Sequence, residues 1–345
     1  MATMATGLSG AQHSFPNMIR PASPHDAAIS LVGVEKRFGH KRAVAGLELH
    51  VPKGSLCGFL GPNGAGKSTT IRMIMSIIYP DSGSVRVLKD SALANKDRIG
   101  YLPEERGLYR TMKVGEFLVY MGKLKGLTGA AAHASASWWL ERLELRGVSK
   151  QKCHELSKGM QQKVQFIASV IHDPELLILD EPFSGLDPVN TQLLTGVIQD
   201  LNRAGKTIVF STHQMYTAEA LCDRVVLINH GTKLLDATLS EVRAQFEPRE
   251  IRFEPVDESL TTSDLASIEG ASSVTPMDGP HTAFLVETEE GHDPQSVMRT
   301  ILTRHAARLI ELRRPTLNDI FIALVNATGG AAPDLSIMPN AGARS

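Results

Sequence analysis

The chain has 345 residues, 42% hydrophobic and 21% charged, with 36 Lys and Arg against 37 Asp and Glu for a formal net charge of −1. This is an ordinary globular composition with room for a large domain and a smaller one. The balanced charge, with no long basic run, excludes a global positive field that would gather nucleic acid or anionic lipid, and no apolar stretch approaches the roughly 18 residues of a spanning helix.

Residues 1 to about 27 are rich in Ala, Ser, Pro, Gly and Met without periodicity. They read as a disordered lead, lacking the cationic start and apolar core of a signal peptide. Beyond them, short apolar runs alternate with helical segments, the pattern of a largely parallel α/β core. Phe38 sits in KRFG ahead of a short buried strand at 55–60, which runs into the glycine-rich GPNGAGKSTT at 61–70. The segment 112–148 is helical, with Phe117, Leu118, Met121 and Leu124 at helical spacing and Trp138 and Trp139 as core or interface packing. LLILD (176–180), TIVFS (207–211) and VVLIN (225–229) are further apolar strands. From Arg249 the texture changes: strand-like IRFEP, helical TTSDLASI, strand-like SSVTP and HTAFLVETE, helical QSVMRTILTRHAA, strand-like LIELRR and helical TLNDIFIALV. That order is close to β-α-β-β-α-β, a small α+β sandwich without a catalytic constellation. The division is a core domain at 28–245 with a helical subdomain at about 110–172, an accessory domain at 246–327, and a tail at 328–345 that reads like the lead. Cys57, Cys153 and Cys222 have no metal-binding spacing and read as small buried hydrophobes in a reducing cytosol.

The stretch Gly61-Pro62-Asn63-Gly64-Ala65-Gly66-Lys67-Ser68-Thr69 fits the pattern G-x-x-x-x-G-K-[ST] and follows a strand. Glycines let the backbone curl so that its N–H groups face a polyphosphate, and the next helix presents its positive end to the same anion. Lys67 would reach the β- and γ-phosphates and Ser68 would give a hydroxyl to Mg2+. The strand LLILD ends in the carboxylates of Asp180 and Glu181. Asp180, beside Ser68, would hold Mg2+ through water, and Glu181 would face the γ-phosphate to orient or deprotonate the attacking water. A purely structural glycine loop and a pair of solvated strand-end acids are the bland alternatives.

LSKGMQQK (156–163) poses a different question, because it is a second glycine-containing helix start, far along the chain from the first. With GPNGAGKST, LLILDEP, SGLDP and STH it falls in the order that marks ABC-type ATPases, and the chain resembles that family over about 29–239. The resemblance implies a P-loop NTPase, RecA-like α/β core with an antiparallel β subdomain, a helical subdomain and, here, an added C-terminal α+β domain. It implies that two ATPase domains pair head to tail, so that Ser157 and Gly159 complete the other chain's phosphate site. Lys158 and Met160 depart from the family's LSGGQ, and Lys158 would point to solvent, the alternative being that it adds positive charge near the phosphate. Asp187 in SGLD would link the two sites across the dimer. His213 in STH would contact the γ-phosphate and help place Glu181. Phe38 would stack on adenine, a core role being its alternative. Glu104, in GYLPEERGLY, stands where the family carries a glutamine that touches Mg2+ and the water, and adds negative charge there.

The implied function is an ATP-binding and ATP-hydrolysing subunit of a bacterial ABC transporter, with ATP and Mg2+ as cofactors, similar to the ATPases of sodium-efflux-type exporters. Its implied partners are integral-membrane permease subunits and a second ATPase subunit, at the cytoplasmic face of the membrane and without nucleic acid. The alternative is a soluble ABC-type ATPase acting on ribosomes or nucleic acid. Those forms usually carry two cassettes in one chain or a long coiled coil, and this sequence has one phosphate loop and no sustained heptads. A catalytically dead subunit is disfavoured by the presence of Lys67, Asp180, Glu181 and His213.

Overall fold

The computed structural model describes residues 27–105, 107–245, 249–277, 279 and 281–327. The two ends expected to be disordered lie outside these residues, except that Ala27 already begins the first strand.

The chain opens with an antiparallel hairpin, β1 (Ala27–Phe38) and β2 (Lys41–Pro52). It then enters the core as β3 (Leu56–Leu60), and α1 (Lys67–Ile74) follows the glycine loop. β4 (Ser82–Val87) pairs with β1 on the side away from β2 to complete a three-stranded antiparallel sheet. β5 (Ile99–Leu102) joins the central sheet, and the helical excursion follows as α2 (Val114–Leu124), α3 (Gly129–Arg142) and α4 (Lys158–Val170). β6 (Leu176–Asp180), α5 (Pro188–Arg203), β7 (Thr207–Thr212), α6 (Met215–Leu221), β8 (Arg224–Asn229) and β9 (Thr232–Thr238) complete the core. The central order is β5-β6-β7-β3-β8-β9, parallel throughout except that β9 runs antiparallel to β8.

From β5 to β8 this sheet is buried on both faces, which is why those strands are apolar runs rather than alternating ones, while the edge strand β9 is partly exposed. In β6, Leu176 and Ile178 pack with α1 and the three-stranded sheet, while Leu177 and Leu179 pack with the helices on the other side. The helix starts carry their own caps: Thr128 accepts from Ala131 N, Ser157 from Met160 N, and Asp187 from Asn190 N ahead of Pro188. Within the helical excursion Phe117 and Leu118 are buried as their spacing requires, whereas Leu124, in the last turn of α2, is 58% exposed. The two tryptophans part ways: Trp139 is buried edge-on to Phe166, and Trp138 is 58% exposed. All three cysteines are buried and free.

After α7 (Leu239–Gln245) come β10 (Glu250–Pro255), α8 (Thr262–Ala266), β11 (Ala271–Met277), β12 (Ala283–Thr288), α9 (Pro294–Arg304) and β13 (Ala307–Arg313). Their sheet is antiparallel, in the order β11-β12-β10-β13, and closes a separate core of Ile251, Phe253, Phe284 and Val286 against Leu265, Val297 and Ile301. The last helix, α10 (Leu317–Ala327), contributes no side chain to this sheet's core. Its Leu317, Ile320, Phe321 and Val325 are buried with Met215, Ala218 and Leu221 of α6 in the core of the first module. No helix among the described residues is long and apolar enough to cross a membrane.

Candidate active site

The loop between β3 and α1 has a shape that only glycine permits at two points. Gly66 has φ 108, and a Cβ there would lie 2.5 Å from Ala43 O; one on Gly61 would lie 2.2 Å from Ile228 O. The loop is pinned to the neighbouring strands through Gly231 N, which donates to Ala65 O at 2.8 Å, while Ala45 N donates to Gly231 O at 2.9 Å. Lys67 opens α1 and is buried, its Nζ donating to Gly61 O at 2.7 Å and to Pro62 O at 3.2 Å. Burial pulls its pKa below the usual lysine value, and Glu181, Asp180 and Glu104 act against that shift. The cation therefore sits at the mouth of the loop among three carboxylates.

Ser68 follows on the first turn of the same helix. Its Oγ lies 3.4 Å from Asp180 Oδ1 and 3.4 Å from Glu104 Oε2, so the hydroxyl stands between two carboxylates brought from different strands. Asp180 is 2% exposed and takes a short hydrogen bond from Ser211 Oγ. Burial raises its pKa, the Ser211 hydrogen bond opposes the rise, and Glu104 adds to it. Among the described residues no three His, Cys, Asp or Glu side chains form a ready cation cage. A hydroxyl flanked by two carboxylates is nevertheless the hard-oxygen set that a Mg2+ ion shares with substrate phosphates.

Glu181 occupies a left-handed backbone conformation, φ 50, uncommon for a residue with a side chain. Its amide donates to Ser211 O and Ser211 Oγ, both at 3.2 Å. The carboxylate is held on two sides: Oε1 accepts from His213 N at 3.1 Å and lies 2.9 Å from His213 Nδ1, and Oε2 accepts from Thr212 Oγ1 at 3.3 Å. The strand ends of β6 and β7 thus bring Asp180, Glu181 and His213 together.

A cleft of ≈ 310 Å³ opens over Lys67, Ser68, Glu104 and Glu181, within the size range of ligand sites. Phe38, Asn63, Gly64, Lys67, Thr69 and Glu181 lie on its walls. Phe38 is 52% exposed with Lys36 Nζ 5.7 Å from its ring centroid, so it is available for stacking and is no part of a core. Ser157, Gly159 and Asp187 are not on the walls of this cleft. Ser157 caps the exposed start of α4, Lys158 faces solvent beside it, and Asp187 caps α5. Hydrogen bonds from Asn190 hold the Asp187 carboxyl below the usual carboxylate range.

Three contributors escaped the sequence reading: Ser211, Thr212 and, on α4, Gln162, whose amide nitrogen donates to Pro182 O at 3.0 Å. The available signal for the first two was a pair of hydroxyls ending an otherwise apolar strand.

Residues 44–184 match the ABC transporter family, and residues 238–325 match the C-terminal domain of ATP-binding proteins like DrrA1-3. The chain is 39% identical over 299 residues to the ABC transporter ATP-binding protein YhaQ of Bacillus subtilis, covering 85% of this chain and 97% of that one. It is 32% identical over 318 residues to the daunorubicin/doxorubicin resistance ATP-binding protein DrrA of Streptomyces peucetius (90% and 94% covered), and 33% identical over 309 residues to the Nod factor export ATP-binding protein I of Burkholderia lata (86% and 97%). A solved ATP-binding subunit of an ABC transporter superposes with a TM-score of 0.59 at 28% identity, covering 64% of this chain and 93% of the other. The dimeric structure of a bacterial ABC transporter cassette shares the fold at a TM-score of 0.58 and 24% identity, covering 61% and 98%.

Proposed function

Because the chain belongs to the ATP-binding proteins of ABC transporters, and is accordingly an ATP-binding and ATP-hydrolysing subunit, we propose that it powers an exporter by closing head to tail on a second ATPase subunit. The export reading is supported by the DrrA and Nod factor relatives, whose names speak of drug resistance and of export. The core at 28–245 is the motor and the region at 246–327 an accessory to it. Its partners are integral-membrane permease subunits, which place it at the cytoplasmic face of the membrane.

The backbone amides of 61–66 and Lys67 hold the β- and γ-phosphates, and Phe38 stacks on the adenine. Ser68 and Asp180, with Glu104 beside them, would hold Mg2+, which would supply neutralising charge to the phosphate oxygens. Glu181 orients the attacking water and accepts its proton, while His213 and Thr212 keep the carboxylate from swinging away. Ser157 and Gly159 present the start of α4 to the γ-phosphate bound by the other chain, and Asp187 meets that chain's site. ATP then acts as the bridge that closes two surfaces, and hydrolysis releases them.

The observation that carries this reading is the Glu181 carboxylate, buried among Lys67, Asp180 and the His213 turn and hydrogen-bonded from two sides. Glu181→Gln keeps the shape and removes the base. With Mg2+ and ATP the variant is expected to elute as a dimer in size-exclusion chromatography while its turnover is abolished. Undiminished phosphate release by Glu181→Gln would falsify the assignment.

A further inference from the structure

Two buried polar side chains of α4 reach across to neighbouring elements, Gln162 to the catalytic strand end and Lys163 to the first turn of α5. Gln162 is 3% exposed; its Nε2 donates to Pro182 O at 3.0 Å and reaches Glu181 O at 3.5 Å. Lys163 is 5% exposed, and its Nζ donates to Asn190 Oδ1 at 2.8 Å. Asn190 in turn donates from Nδ2 to Asp187 Oδ2 at 2.6 Å. Burying an amide and an ammonium is costly unless their donors are used. A methionine would fill either place with nothing to satisfy, so the polar identities go with the groups they hold.

Those groups are not arbitrary. The peptide after Glu181 is the carbonyl side of a residue in the left-handed region, a conformation that persists only when its surroundings hold it. Ser211 grips the amide side of that residue and Gln162 the carbonyl side. Gln162 and Lys163 both belong to one 13-residue helix, α4, whose N-cap is Ser157. An α-helix is stiff over this length, so its first turn and its middle move together.

We propose that Gln162, with Lys163 as a second strut, is a positioning residue that ties the catalytic peptide of Glu181 and the Asp187 cap to α4. A γ-phosphate held by the start of α4 in one site thereby sets the catalytic carboxylate of the other. The inference rests on the reading that α4 faces a second chain's nucleotide. It adds to that reading the path within a single chain by which one site senses the other.

Gln162→Met removes the donors at similar volume. The measurements are Tm, affinity for a fluorescent ATP analogue, and the ATP dependence of steady-state hydrolysis. The expected result is a kcat lowered on the order of tenfold and a loss of positive cooperativity in ATP, with affinity and KM changed less than about twofold. Parental kcat and cooperativity overturn the proposal. So does a fall in Tm and ATP affinity in step with kcat, which marks a packing role alone. Should Gln162→Met fail to fold, Lys163→Met decides by the same criteria. Failure of the underlying reading is distinguishable, because it shows as no recovery of phosphate release when Ser157→Arg and Glu181→Gln chains are mixed, whereas failure of this inference shows as a parental Gln162→Met beside a mixture that recovers it.

Discussion

Glu104 and Asp180 flank the same hydroxyl, each 3.4 Å from Ser68 Oγ, and Glu181 lies close enough to act on Lys67. One ammonium faces three carboxylates before any phosphate arrives. A further negative charge several ångströms away costs on the order of 1 kcal/mol in a partly solvated cleft. Glu104→Gln is therefore expected to raise ATP affinity several-fold in EDTA, and the gain is expected to shrink or reverse with Mg2+ if Glu104 helps to hold the ion as proposed. Titration of a fluorescent nucleotide in both media decides it; an equal ratio in the two contradicts a charge effect. The residues readable from sequence, Lys67, Ser68, Asp180 and Glu181, each belong to a short contiguous stretch whose spacing dictates their geometry. Ser211 and Gln162 could not be read so. Their work depends on β7 lying beside β6 and on α4 lying over the strand end, and neither proximity is local in sequence.

At the level of elements the central strands were legible because a sheet buried on both faces demands unbroken apolar runs of about strand length. The antiparallel β9 and the four-residue β5 carry too little pattern to separate from their surroundings. α10 shows what an apolar stripe leaves open: it says that a helix packs and not against what. The stripe in TLNDIFIALV serves α6, and the small sheet builds its core without it. Phe321 is buried there among side chains of the ATPase module. Phe321→Ala is expected to cost about 3–5 kcal/mol, as large-to-small changes in cores do. Urea unfolding followed with the intact chain measures it, and a loss under about 1 kcal/mol would mean that α10 is only loosely attached.

For the whole molecule, the proposed head-to-tail pairing assigns Ser157, Gly159 and Asp187, which are not on the walls of the cleft over Lys67, to the other chain's site. A site completed by a second chain can be rebuilt from two broken ones. Ser157→Arg is expected to bind ATP and fail to hydrolyse it, as Glu181→Gln is. Mixed, the two form dimers in which the intact Glu181 of one chain meets the intact Ser157 of the other, so phosphate release returns. A mixture as inactive as its parts refutes the head-to-tail arrangement. The accessory sheet bears on the same motion. It is joined to the ATPase module at its start by α7, whose Leu239 and Val242 enter that core, and at its end by α10 on α6, where Leu317 N donates to Glu219 Oε2 at 3.3 Å. α6 begins two residues beyond His213. With two anchorages instead of one, the small sheet has no free swivel. It is fixed as a gauge arm is fixed to its spindle: through α10 it is tied to α6, the helix that begins just beyond the His213 turn.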